Sequence, residues 1–478
     1  MSNNVQQELQ QTGTRDLAVA EVTPLTQAGA QYGLGENVFV VTDSGASGST
    51  TASNSQFVCQ TGTAADGLAT ILTLRELTYR QGQGTLTRIN AVFGTPQADS
   101  QQACGLINAE NSYTFGYIGT AFGIIYAHNG EVELQTLTVT TPAAGAENAT
   151  ITVDGTGYTV PLTAGTVQHN AIEIADSLNA QVPNYRFTAN NDEVTAIATI
   201  SGPAGSFAFT SATAVAAWVQ VDAGVDVTVE FTPQSSWDDD LSDLSFDPLT
   251  NNYYQIRFVY GAARFSILDD EGQMRLVHTI SDFSNNSIPP VTTPSFRSGW
   301  IVRNLGNTTN ITLKGSNASG YVEGKKRFDS GIRAEDASAL AIGSTNTTVF
   351  VIRNRIEFGE RINRAELLPR FISVSTQSNK TAFFELFLNP TFTSDLIFDY
   401  VDKATSIAEF SEDNVGISGG RLVGSVTATV GAPAEANFND EENTDTFISP
   451  GDVLALVARV SSGPASDMDV SVSWQEDV

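Results

Sequence analysis

Cysteine is nearly missing: 478 residues contain two, Cys59 and Cys104. Such a pair makes no disulfide framework. Two buried thiols are the simpler expectation, since a bridge would need the strands carrying them to lie side by side. Histidine is as scarce. The three copies, His128, His169 and His278, lie in separate segments with no His-x-x-x-His spacing, so each reads as an ordinary surface or edge residue rather than a metal ligand. Lysine supplies only five of 24 basic residues, and charged residues are 16% of the chain. No run reaches the roughly 18 to 20 apolar residues of a membrane span. The opening MSNNVQQELQQTGTRD also lacks the apolar centre of a signal peptide. The expectations are no membrane insertion, synthesis in a cytoplasm, and no conventional secretory route.

The residues that are abundant point one way. Forty Gly and 26 Phe accompany many Thr, Ser and Asn, and 41% of residues are hydrophobic. Thr, Val, Phe and Tyr suit pleated, half-buried surfaces, and Gly and Asn suit turns. The composition argues for an all-β chain, long enough for several cores. The formal charge of −29 repels phosphates and anionic surfaces, so nucleic acid is not an expected partner.

Strand signals order the chain. Residues 1–34 carry no strong pattern and read as an N-terminal arm, ordered by a partner. DSGASGSTTASNSQ (43–56) reads as a flexible loop or linker. Alternating segments at 35–130 and 232–328 read as the halves of a discontinuous, jelly-roll-like β-sandwich. In YYQIRFVY, Tyr254, Ile256, Phe258 and Tyr260 share one face while Gln255 and Arg257 share the other. Between the halves, 131–231 reads as an inserted α+β (ββαββ) domain. Asp154-Gly155 makes its first hairpin, and VQHNAIEIADSLNAQ makes a helix behind Thr166. Residues 329–478 read as a C-terminal β-sandwich sealed by the last strand, with Val453, Leu456 and Val460 near Val470, Val472 and Trp474. The fold expectation is all-β, tandem sandwiches with that small insertion.

YYQIRFVYGAARFSILDDEGQMRLVHTI resembles the back-to-back strands of concanavalin A-like and laminin-G-like jelly rolls. ATITVDGTGYTVPLTAGTVQHNAIEIADSLNAQ resembles a module of tailed-phage tail and fibre proteins. RELTYRQGQGTLTRINAVFGTP with YTFGYIGTAFGIIY is similar to virion proteins of tailed phages and large DNA viruses. These resemblances imply a virion structural protein on a capsid, spike, fibre or tail. Its partners would be copies of itself and other virion proteins, joined through sandwich edges or the N-terminal arm.

Candidate chemistry is sparse. Glu357 and Glu360 are the nearest carboxylate pair, but on a strand their spacing points them to opposite faces. The Glu-x-Asp-x-x-Glu strand of jelly-roll glucanases is missing, so no catalytic residue is expected and the chain reads as non-enzymatic. Asp238, Asp239, Asp240 and Asp243 could offer oxygens to a hard cation, though without EF-hand spacing they read more simply as a solvated acidic junction. Asp269, Asp270 and Glu271 read as a turn. Tyr253, Tyr254 and Trp300 are the candidates for stacking on a sugar. No cofactor is expected. A host surface glycan is the alternative partner, through a carbohydrate-binding adhesin, with a jelly-roll glycan hydrolase behind it.

Overall fold

The computed structural model describes residues 22–35, 38–44, 47–79, 83–239, 241–259, 262–281, 291, 294–323, 331–377, 380–429, 433–437 and 446–477. Residues 1–21 of the expected arm, Asp240, Tyr260 and most of the loop at 438–447 lie outside them. The chain is all-β, and Val167–Gln181 is the sole α-helix among the described residues. It is too short and polar to cross a membrane.

The chain forms two compact units, Met1–Glu131 with Asp226–Lys326, and Val132–Val225 with Arg327–Val478. In the first unit a six-stranded sheet runs in the order Val22–Gly29, Asn317–Glu323, Thr85–Ala91, Asn252–Val259, Ala262–Leu268, Met274–Ile280. An eight-stranded sheet is built on Ser100–Ile107, Ser112–Ile118, Ala121–His128 and Ser295–Asn304. Period-two alternation fills the core they share. Tyr254, Ile256 and Phe258 point inward from one sheet; Tyr113, Phe115 and Trp300 do so from the other. Phe115 sits 4.8 Å from Tyr254 and 5.3 Å from Phe265, centroid to centroid, and Tyr113 lies 5.1 Å from Phe258. Offset and edge-on rings of this kind add roughly 0.5–1.5 kcal/mol per pair beyond their burial.

Two local expectations are corrected. The small polar run at 43–56 is no linker, because Ser49–Ser53 pairs antiparallel with Gln56–Gln60 around Asn54 and Ser55, both at positive φ. Its alternate residue Phe57 is buried against Trp300, which holds the hairpin on the core. Likewise Val22–Gly29, assigned to the arm, is an edge strand hydrogen-bonded to Asn317–Glu323 of the same chain.

In the second unit, hairpins Glu147–Val153/Thr156–Leu162 and Tyr185–Asn190/Glu193–Ser201 flank the helix. Thr166 caps its N-terminus by accepting from the His169 N–H, leaving one fewer orphan donor. Ala171, Ile174, Ala175 and Leu178 form its buried stripe. The sequence reading separates this α+β segment from the C-terminal sandwich; contacts instead join the two in one unit. Asn190 donates to Glu409 Oε1 (2.7 Å), while Arg353 donates to Glu409 Oε2 (2.7 Å) and to the Ala189 carbonyl (2.6 Å). All of these groups are largely buried, so removing one partner would strand the others.

The final strand, Ser466–Asp477, lies inside a four-stranded sheet between Ile332–Ile342 and Glu366–Thr376. Val453–Val460 belongs to the six-stranded sheet opposite. Leu456 and Val460 therefore meet Val470, Val472 and Trp474 across a core, and not along a hairpin.

Both cysteines are buried and unpaired. Burial pushes the Cys59 thiol up to about 12 and raises Cys104 as well. The thiolate is the reactive form. An aromatic disulfide reagent should therefore leave both thiols unlabelled in the native protein and titrate both after denaturation; fast native labelling would contradict this packing.

Candidate functional site

The acidic segment after Trp237 docks on the strand Met274–Ile280. Arg275 forks onto Asp239, with Nη2 2.7 Å from Oδ1 and Nε 2.5 Å from Oδ2, and its Nη1 reaches Asp243 Oδ1 at 2.6 Å. Asp238 accepts from the Thr279 N–H (2.9 Å) and lies 3.2 Å from His278 Nδ1. These carboxylates serve a guanidinium and a strand edge, so Asp238, Asp239 and Asp243 are tied to the sheet and are no bare solvated junction. Among the described residues no cluster of His, Cys, Asp or Glu could hold a metal ion.

That clamp fixes where the chain goes next. Leu244, Ser245 and Phe246 follow Asp243 and form one wall of a cleft of about 230 Å³. Thr250, Asn251, Asn252 and Tyr253 form the second wall; Leu268, Asp269 and Asp270 form the third. Each wall is pinned. Asn252 Nδ2 donates to the Asp247 carbonyl (2.7 Å), and Asn251 Oδ1 accepts from Asn90 (2.8 Å). Asp269 Oδ1 accepts the N–H groups of Glu271 (3.0 Å) and Gln273 (2.7 Å), closing a turn with Gly272 at φ 80°. Asp270 Oδ2 accepts from the Ser245 N–H at 3.4 Å, tying two walls together. Phe246 is half-buried against Phe122 and Tyr254. Below the roughly 300 Å³ of a drug-sized pocket, the cleft has room for one small polar unit.

The sugar-stacking candidates separate cleanly. Tyr253 is half-buried and lines the cleft. Tyr254, one residue on, is 0% exposed in the core. Trp300 is 1% exposed and donates its indole N–H to the Asn90 carbonyl (2.9 Å). Neither can stack on a sugar without unfolding the sheet. Phe246 and Asn251 were missed; their only sequence signal is the turn-rich SFDPLTNN before the strand.

Glu357 and Glu360 do not flank a strand. They sit on a hairpin, Glu357–Phe358 with Arg361–Ile362, where Gly359 and Glu360 take positive φ. Glu357 accepts from Arg355 (2.8 Å) and from the Glu360 N–H (2.9 Å), so it holds a turn. The histidines are not partnerless either. Besides His278, His128 is 3.2 Å from Glu230, and His169 lies 3.1 Å from Asp395 and 3.2 Å from Glu173.

Neither the protein-family models nor the curated protein sequences contain a match to the chain. Solved structures do overlap it. The LamAcat structure from Zobellia galactanivorans matches at 9% identity and a TM-score of 0.29, over 63% of this chain and 97% of that one. A beta-1,3-glucanase from Mycobacterium marinum matches at 8% and 0.28, over 62% and 98%. The lectin UEA-II, complexed with galactose, matches at 7% and 0.22, over 63% and 100%. The sandwich of the first unit stands on its own strand order and shared core. The expectation of a non-enzymatic chain is withdrawn, because glycoside hydrolases stand among these neighbours. At TM-scores of 0.22 to 0.31 and identities of 7 to 9%, the likeness carries neither a fold nor a residue across.

Arg275 holds the Asp239 carboxyl below its ordinary range, mainly through their hydrogen bonds. A depressed folded-state pKa gives stability that is present above the unfolded value of about 3.9 and lost as pH falls through the folded one. Asp239→Asn should therefore lower the melting temperature at neutral pH, with the gap from wild type closing in acid. A gap that persists unchanged at low pH would contradict the ion-pair account.

Proposed function

We propose that this chain is a carbohydrate-binding surface component of a virus or phage particle, with the sugar seated in the cleft at Tyr253. The observation that carries the reading is the lining. A half-buried tyrosine ring and the Phe246 ring stand beside the Asp270 carboxylate and the Asn251 amide, on loops tied down by hydrogen bonds. A pyranose offers C–H faces to aromatic rings and hydroxyls to carboxylates and amides, so both halves of its chemistry are met. Prefixed walls limit the ordering cost of binding.

The particle setting rests on the sequence resemblance of ATITVDGTGYTVPLTAGTVQHNAIEIADSLNAQ to tailed-phage modules. Its Asp154-Gly155 hairpin and Thr166-capped helix are consistent with that resemblance. On a particle, many copies of a weak cleft would act together, so modest affinity per site suffices.

A glycan array followed by titration of the selected glycan tests the reading. Tyr253→Ala should weaken binding at least about tenfold, equivalent to ~1.4 kcal/mol. Tyr32→Ala, which removes a 91% exposed ring elsewhere in the unit, should leave it unchanged. A blank array, or equal loss from both variants, would overturn the assignment.

A further inference from the structure

The strand Val215–Val225 ends the four-stranded sheet of the second unit. Its even-numbered Trp218 faces inward, with its ring 4.7 Å from Phe207. The odd positions face out. Val215 is 53% exposed, Val219 59%, Val221 38% and Val225 46%, with Ala217 and Ala223 exposed between them. A continuous apolar stripe on a terminal strand is a liability that soluble chains blunt with charge unless something covers it. Here the only charged residue of the strand is Asp222.

The stripe is also a palindrome. Read from either end about Gln220, VAAWVQVDAGV places Val, Ala and Val at alternate positions. A two-fold contact sets a strand against its own reverse. About an axis at Gln220, Val219 meets Val221, Ala217 meets Ala223, and Val215 meets Val225, so every outward side chain finds a match of its own kind. The paired Asp222 residues fall four positions apart, about 14 Å at the rise of an extended strand. That exceeds the ~10 Å screening length of ordinary buffers. For a chain of net charge −29, a charge-free seam is where a second copy can approach with least repulsion.

We infer that the outward face of Val215–Val225 is an isologous contact between two copies of this chain, packed stripe against stripe about Gln220. The inference is independent of the Tyr253 cleft, which lies on the other unit.

Sedimentation of the full chain over a concentration series tests it. Wild type should form a dimer or a higher even-numbered assembly, and Val219→Asp should raise the dissociation constant of that pair at least a hundredfold. Because Val219 is exposed, circular dichroism should show the variant folded. Mixed Val219→Cys and Val221→Cys chains, whose thiols face each other across the axis, should form an intermolecular disulfide under mild oxidation that Val215→Asp in both chains abolishes. A monomeric wild type, an assembly insensitive to Val219→Asp, or Val219→Cys and Val221→Cys chains that stay uncrosslinked would each overturn the contact.

Discussion

Side chains on a strand alternate between two faces, and almost every assignment in this molecule depends on that parity. On Asn252–Val259, Tyr254, Ile256 and Phe258 close the core, so Tyr253, Gln255 and Arg257 lie on the opposite face of the sheet, where Arg257 is buried beside Glu323. A slip of one residue would put Tyr253 among the rings and leave Tyr254 at the cleft. Phe93, Phe115 and Phe246 hold the register by packing around the Tyr254 ring. The same parity puts Trp218 inside and the valine stripe outside on Val215–Val225.

Polar groups complete what the apolar faces begin. Arg275 fastens the acidic segment to its sheet and so sets one wall of the cleft. In the other unit Arg353 and Asn190 converge on Glu409, and the Arg353 guanidinium lies 3.9 Å above the Phe398 ring. Arg355 similarly covers Tyr400 at 4.6 Å while bonding Glu357. With 24 basic groups against 53 acidic ones, arginine forks and stacks serve as cross-ties where lysine would offer only a point charge.

The sequence made the sheets legible because alternation is local. The YYQIRFVY faces, the Asp154-Gly155 hairpin and the Thr166-capped helix could all be read without a structure. What escaped depends on distant partners. Trp300 reads as an exposed aromatic until strands Gln56–Gln60 and Thr85–Ala91 are brought to it. Asp239 reads as a loose carboxylate until Arg275 arrives from 36 residues away. The run at 43–56 has the composition of a linker, and only the burial of Phe57 makes it a hairpin. The aromatic and amide lining of the cleft falls within residues 246–253, which read only as a turn until the Leu268–Asp270 segment is brought beside them.

Ring-labelled tyrosine observed by nuclear magnetic resonance, while the glycan selected by the intact protein is added, probes the parity and the cleft together. Among the 12 tyrosines, the account predicts a saturable shift confined to Tyr253, with Tyr254 and Tyr113 unmoved in their core. A shift centred on another tyrosine, or none at saturating glycan, would contradict it.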